Sequence, residues 1–244
     1  MWNERGNASD MGLVDVHCHL LFGVDDGAKT LKDSVDMLEV AVGQGITDII
    51  LTPHYRHGMF PYNGDTIRKH FLQLQLESAK RGVHLHLGCE YHVNREIIPN
   101  LEQRRVLPLA QSEYVLTEYA HESEESYVCE MSMELLSHGY IPVIAHVERY
   151  ACFRKNIQLC RELRRQGVWI QTNADAVLGK DGFATKRFCK HLLDQNLVDV
   201  IASDSHDTTK RRNHLGECYD YVAKRYGAAM ADRLMDANPR KIIT

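Results

Sequence analysis

Nothing in this sequence answers to a secretory leader, a membrane span, a cysteine-built zinc site or a nucleic-acid-binding arm. Residues 1–10 are polar where a leader would carry an apolar stretch, and no hydrophobic run approaches the roughly 20 residues that a membrane helix needs. A protein that stays in the cytoplasm, without membrane insertion, is the expectation. The seven cysteines are odd in number and never form a CxxC pair, so they describe neither a disulfide framework nor a zinc knuckle. Most are expected as small buried side chains. No basic block interrupts a formal net charge of −4, which argues against nucleic acid as a partner. No Pro/Gly/Ser-rich stretch marks a linker.

What is present fits one soluble α/β domain. The chain has 244 residues, 44% hydrophobic and 25% charged, a length normal for a single α/β barrel. Residues 1–11 read as a flexible N-terminal tail ahead of a domain over 12–244. Short β-branched or apolar runs at 13–17, 48–52, 84–88, 114–117, 141–145, 168–172 and 198–202 read as strands. Amphipathic helical patterns over 32–44, 66–80, 127–137, 158–165 and 186–195 lie between them. Such alternation predicts a parallel sheet, and seven units without a linker predict a closed or nearly closed barrel.

In a parallel barrel the residues just beyond each strand converge on one face, however distant in sequence. The histidines, 14 in all, and the acids concentrate there. His17 and His19 follow the first strand, His54 the second, Glu90 the third, Glu118 the fourth, His146 the fifth, and Asp204 with His206 the seventh. The two-residue period of a strand points His17 and His19 the same way, close enough for one cation. Asp204-Ser205-His206 repeats that geometry with a carboxylate and an imidazole. Each position alone has an ordinary reading. A lone Glu is usually a solvated loop carboxylate, a lone His is as often a hydrogen-bonded core residue as a ligand, and Asp25-Asp26-Gly27 suits a turn or helix cap. Their coincidence on one face favours a metal site. With Asp26 counted, five imidazoles and four carboxylates suit Mn, Fe, Zn or Mg better than a soft metal, and they are too many for one ion. Two or three ions, with Glu90 bridging, fit the count.

These residues carry a resemblance. The run from His17-Cys18-His19 through Asp25-Asp26-Gly27, then Thr52-Pro53-His54, Gly88-Cys89-Glu90, Ala145-His146-Val147-Glu148-Arg149-Tyr150 and Ser203-Asp204-Ser205-His206, resembles the bacterial protein-tyrosine phosphatases of the polymerase-and-histidinol-phosphatase (PHP) superfamily. The likeness spreads over 12–244, and Phe22 stands where a proline is common. It implies a distorted (β/α)7 TIM-like barrel holding three divalent ions, manganese foremost. His17, His19, Glu90 and Asp204 would hold the first, Glu90, Glu118 and His146 the second, and Asp26, His54 and His206 the third. Arg149 and Arg211 match positions implicated in phosphate binding. The implied activity is that of a phosphoric monoester hydrolase in which a metal-activated hydroxide cleaves phosphotyrosine without a phosphocysteine intermediate. The implied substrate is the phosphotyrosine-bearing tail of a tyrosine kinase that regulates capsule or exopolysaccharide synthesis. Charge agrees: four carboxylates carry −4 and three divalent ions +6, so a loaded site near +2 attracts phosphate. The loops over 55–64 and 121–126 are polar and aromatic enough to form the rim of an open mouth.

Other chemistries remain to be weighed. A small-molecule phosphatase such as a histidinol phosphatase, or a metallonuclease, would use the same ligands, since one fold hosts several hydrolytic reactions. Cys89 to Arg95 satisfies C-x5-R, but the bulky, glycine-free interior Glu90-Tyr91-His92-Val93-Asn94 opposes a phosphate cradle. A binding module without turnover would lack a ligand position, and none is missing.

Overall fold

A computed structural model describes residues 12–244; the tail expected over 1–11 lies outside the described residues. Nine strands follow one another along the chain: β1 (Leu13–Cys18), β2 (Ile46–Leu51), β3 (His54–Tyr55), β4 (His84–Leu87), β5 (Glu90–His92), β6 (Tyr114–Glu118), β7 (Ile141–Ile144), β8 (Trp169–Asn173) and β9 (Val200–Ala202). Every ladder between them is parallel, in the orders β1-β2-β4 and β3-β5-β6-β7-β8-β9. A parallel bridge between Cys18 and Ser205 brings the first strand back beside the end of the last, so the sheet curls.

The seven expected strands are all present, but two are longer and interrupted. Pro53 has no N–H to donate to a ladder, and β2 stops at Leu51 before β3 resumes at His54. The neighbouring strand breaks in step: Gly88 N donates to Leu51 O at 2.8 Å, Glu90 N donates to Pro53 O at 3.2 Å, and β5 then begins at Glu90. Both breaks fall one or two residues before a predicted site residue.

Helices cover the outer face where amphipathic patterns predict them, at Leu31–Gly43, Gly64–Ala79, Glu125–Ser137, Gln158–Gln166 and Phe183–Asp194. The first opens on a reciprocal cap: the Thr30 side chain accepts from Asp33 N, and the Asp33 carboxylate accepts from Thr30 N at 2.9 Å. Further helices at Ile97–Glu102, Ala151–Lys155, Ala174–Leu178, Leu215–Tyr226, Ala228–Asp232 and Asn238–Ile243 were not anticipated. Five of these run only five or six residues, too short to show a periodic stripe.

Strand residues alternate between two apolar clusters, as the two-residue period requires. Val14, Val16, Ile50, Leu116, Val143, Val200 and Ala202 belong to one, together with Leu109 and Ile242. Leu13, Ile49, Leu51, Val115, Ile144 and Ile201 face the other, where helix residues such as Leu38, Leu74, Met131, Leu163 and Val222 cover them. A sheet buried on both faces explains the nearly continuous apolar runs in the sequence.

Candidate metal centre

Eight of the nine predicted ligands sit at or just beyond the C-terminal ends of strands, or at the restarts after the two breaks, and the ninth, Asp26, comes from the loop between β1 and the helix Leu31–Gly43. Among the described residues, their donor atoms fall into four overlapping groups, each with atoms within 4.8 Å of one another: His17, His19 and Glu90; His17, His146 and Asp204; His54, Glu90 and Glu118; and His19, Asp26, His54 and His206. These groups contain the nine expected residues and no others.

The first group has the spacing of a coordination shell. His17 Nε2 and His19 Nε2 lie 3.1 Å apart, each 3.1–3.2 Å from Glu90 Oε2 and 3.4–3.5 Å from Asp204 Oδ1. A cation with bonds of about 2.0–2.2 Å separates adjacent donors by about 3.0–3.5 Å. The third expected set also meets, with Asp26 Oδ1 3.5 Å from His54 Nε2 and 3.4 Å from His206 Nε2. The second set is divided differently. Glu118 groups with His54 and Glu90, whereas His146 groups with His17 and Asp204, and Glu90 joins them through Oε1, 2.8 Å from His146 Nε2.

Distance without alignment is the telling feature. His54 Nδ1 approaches Glu90 Oε2 to 3.0 Å, yet neither atom makes a hydrogen bond, and His206 Nε2, 3.4 Å from Asp26 Oδ1, is likewise buried without one. Donor atoms gathered this closely without bonding one another are left free for a shared guest. Buried polar atoms left unpaired cost free energy, which a bound cation would recover. The residues therefore fit a metal cluster.

Electrostatics agree. Burial alone would raise the pKa of Glu90 and of Asp204, but His17 and His54 around the first, and Arg149 and His17 around the second, hold both well below the usual carboxylate range. Burial disfavours charge on His19, yet Asp25 and Glu90 outweigh it and raise its pKa well above the ordinary histidine value. His206 goes the other way: burial and the charge of His19 push it down to about 4, which keeps its imidazole neutral and able to coordinate. The carboxylates thus demand positive charge, which protons supply in the absence of metal and divalent ions supply in exchange for those protons.

A second set of residues, not singled out in the sequence, orients the first. Asp25 Oδ2 lies 2.8 Å from His19 Nδ1 and accepts the His54 N–H at 3.1 Å, while Oδ1 accepts the Gly27 N–H at 2.9 Å. Glycine is required at 27 because a Cβ there would stand 2.0 Å from His19 O. Gln171 Oε1 accepts the His146 N–H at 2.8 Å and lies 3.3 Å from His17 Nδ1; Asn173 Nδ2 donates to Asp204 Oδ2 at 2.8 Å. Tyr150 Oη stands 3.1 Å from His146 Nδ1, and His92 Nδ1 3.1 Å from Glu118 Oε2. Two site residues, His146 and Asp204, hold left-handed backbones with φ of 33° and 52°, a strain that non-glycine residues keep where the surroundings impose it.

Both predicted arginines reach the cluster. Arg149 Nη2 donates to Asp204 Oδ2 at 2.7 Å and Arg211 Nη2 to the same carboxylate at 3.2 Å. They line a cavity of about 250 Å³ over the site, together with six of the nine predicted ligands and with Arg56, Met59 and Phe60. The 121–126 loop contributes no lining residue to it. The cysteine chemistry finds no support: Cys89 is buried, burial and Glu90 push its thiol well above the ordinary range, and Arg95 is exposed and pairs with Glu130 at 2.9 Å.

Comparison with known proteins converges on one group. Residues 13–244 match the family described as capsular polysaccharide synthesis, CpsB/CapC. The tyrosine-protein phosphatase CpsB of Streptococcus pneumoniae is 34% identical over 239 residues, covering 95% of this chain and 98% of the relative. A chain from the crystal structures of YwqE from Bacillus subtilis and CpsB from Streptococcus pneumoniae, described as unique metal-dependent tyrosine phosphatases, superposes with a TM-score of 0.88 at 32% identity, covering 94% of each chain. The phosphotriesterase homology protein of Escherichia coli superposes with a TM-score of 0.62 at 13% identity, a likeness of fold alone, covering 97% of this chain and 100% of that one.

Proposed function

The chain belongs to the CpsB/CapC family of capsular polysaccharide synthesis, and from that premise we propose that it is a metal-dependent protein-tyrosine phosphatase. One observation carries the reading: the nine residues expected from sequence, and no others among those described, bring their donor atoms together in four overlapping groups. In this reading the curled sheet is a distorted (β/α)7 barrel, with β2 and β3, and β4 and β5, each counted as one interrupted strand. The Cys18–Ser205 bridge supports that count.

Three divalent ions, manganese foremost, are assigned to the nine ligands. His17, His19, Glu90 and Asp204 hold one, Glu90, Glu118 and His146 a second, and Asp26, His54 and His206 a third. When bound, such ions supply Lewis acidity toward phosphoryl oxygens and lower the pKa of water. The chain's own groups do the rest. Arg149 and Arg211, already drawn to the edge of the cluster by Asp204, offer guanidinium donors to phosphoryl oxygens and gain strength as charge moves onto them. Asp25, Gln171 and Tyr150 fix the rings of His19, His17 and His146, so that little reorganisation is needed at reaction. No thiol takes part.

The substrate assigned is a phosphotyrosine-bearing tail of a tyrosine kinase acting in capsule or exopolysaccharide synthesis, met in the cytoplasm. No helix among the described residues is long and apolar enough to cross a membrane. A phenol of pKa near 10 leaves with little protonation, whereas a serine alkoxide needs an acid. Measuring kcat/KM on matched phosphotyrosine and phosphoserine peptides, with histidinol phosphate as third substrate, tests the reading. A strong preference for phosphotyrosine is expected; equal rates on the two peptides, or a preference for histidinol phosphate, would overturn it.

A further inference from the structure

One wall of the cavity is not used by the chemistry above. Arg56, Met59 and Phe60 line it, all from the segment that leads from β3 into the helix Gly64–Ala79. This segment folds back on itself. Arg56 N donates to Phe60 O at 3.0 Å, and Phe60 N and Met59 N both donate to Arg56 O at 2.9 Å. Gly58 makes the turn with a φ of +75°, a conformation that a side chain would strain. Anchors flank the turn on either side: Tyr62 Oη donates to Gly88 O at 3.0 Å, and the ring of Tyr55 lies 4.8 Å from that of Tyr91. The wall is therefore built, closed across its base by three backbone hydrogen bonds.

Its chemistry contrasts with the rest of the lining, which is ionic. The Phe60 ring lies nearly parallel to the His54 imidazole, 12° apart in plane and 5.3 Å between centroids. Met59 is 56% exposed, an apolar side chain held beside a charged cavity. The Arg56 guanidinium has no hydrogen bond or ion pair among the described residues. At about 250 Å³ the cavity falls below the ~300–1,000 Å³ of sites for drug-sized ligands, so it suits a phosphoryl group with one ring while the remainder of a peptide lies across the rim.

Resting on the phosphatase reading of this site, we propose that the Arg56–Phe60 loop is its specificity element. Met59 and Phe60 receive the aromatic ring of an aryl phosphomonoester, and Arg56 receives a carboxylate next to it on the same peptide. Ring and thioether contacts of this kind are worth about threefold to tenfold in affinity. An exposed guanidinium–carboxylate pair is worth about threefold and fades as salt screens it.

Titration calorimetry of the manganese-loaded protein with phenylphosphonate and methylphosphonate separates the ring from the head group, because neither is hydrolysed and both carry the same phosphonate. The wild type is expected to bind the phenyl compound about fivefold more tightly. Met59→Ala and Phe60→Ala are each expected to bring that ratio toward one. Damage to the metal cluster moves both affinities together and leaves the ratio in place, so a disturbed His54 does not imitate the effect. Arg56→Gln is expected to keep the ratio but to lower kcat/KM about threefold on an acidic-flanked phosphotyrosine peptide relative to a neutral one, the gap closing at high salt. A wild-type ratio near one, or a ratio unchanged in both apolar variants, overturns the proposal while the phosphatase reading stands. If the site is no phosphatase at all, the wild type binds neither phosphonate and hydrolyses no phosphomonoester, which removes both proposals together; equal rates on the phosphotyrosine and phosphoserine peptides overturn the tyrosine reading, and the phenyl-to-methyl ratio then decides this proposal separately.

Discussion

The two ends of the sheet treat their buried charges in opposite ways. Around the entrances to β1, β2 and β9, acids are closed off by arginines. Arg164 grips Asp199 through Nε at 2.8 Å and Nη2 at 2.7 Å, and Asp199 Oδ2 also accepts the Ile170 N–H at 3.0 Å. Arg240 donates to Gly12 O at 2.7 Å and to Asp236 at 2.5 Å and reaches Asp48 at 3.5 Å, while Asn238 Nδ2 donates to Asp199 O at 2.8 Å. At the exits of the strands, carboxylates crowd with imidazoles, and His54 Nδ1, Glu90 Oε2 and His206 Nε2 stay buried without hydrogen bonds. Where the chain needs only to hold itself together, it pairs its charged groups. At the exits arginines reach Asp204, but the imidazoles and Glu90 behind it keep atoms without hydrogen bonds, the open valences that a bound cation would fill.

Removing groups from the open end should therefore destroy function more than fold. His17→Ala, Glu90→Ala and His206→Ala are expected to lower kcat/KM at least about a hundredfold and to lose bound metal, with circular dichroism unchanged. Retention of both metal and activity in any of the three would remove that residue from the ligand set.

Arg149→Ala and Arg211→Ala come next. Losing a donor to the charge that develops on phosphoryl oxygens costs about a hundredfold in kcat, with metal content intact. Steady-state kinetics alongside elemental analysis decides this, and unchanged kinetics in both variants would end the assigned roles.

Asp25→Asn tests the orienting layer. It keeps the shape but removes the charge beside His19 Nδ1, and a tenfold to hundredfold loss of metal affinity, on the order seen for such supporting groups, is expected in a metal titration. Unaltered affinity would make Asp25 a loop-shaping residue only.

Which parts of this were legible in the sequence follows from the same contrast. The clustered residues could be read because all but Asp26 stand next to an apolar run whose period fixes their direction, as in Val14-Asp15-Val16-His17 or Val143-Ile144-Ala145-His146, while Asp26 came from the resemblance of its Asp-Asp-Gly stretch. All seven expected strands were found for that reason. The orienting groups could not be read. Gln171 and Asn173 reach His17, His146 and Asp204 across the sheet, and a contact between residues 154 apart leaves no local pattern. Asp25 had a sufficient local explanation as a turn former, which hid its bond to His19. The breaks at Pro53 and Cys89 were missed because a strand that stops and restarts reads as one apolar run followed by a loop. The grouping of Glu118 apart from His146 depends on side-chain placement, which spacing does not carry.

The smallest functional effect should come from the closed end. Arg164→Ala strips Asp199 of a two-pronged, partly buried partner, at an expected cost of about 1–3 kcal/mol of stability, read as a fall in Tm of several degrees. Metal content and kcat/KM below the transition should be unchanged. A large loss of activity at room temperature would show that the two ends are coupled.

The most direct test of the central claim, that the open end exists to hold catalytic metal, is phosphotyrosine hydrolysis measured against metal bound per chain. Protein stripped by prolonged chelation and verified by elemental analysis should be inactive, and activity should return in step with bound manganese, iron or a related divalent ion. Full activity in a preparation shown to contain no metal would contradict the account.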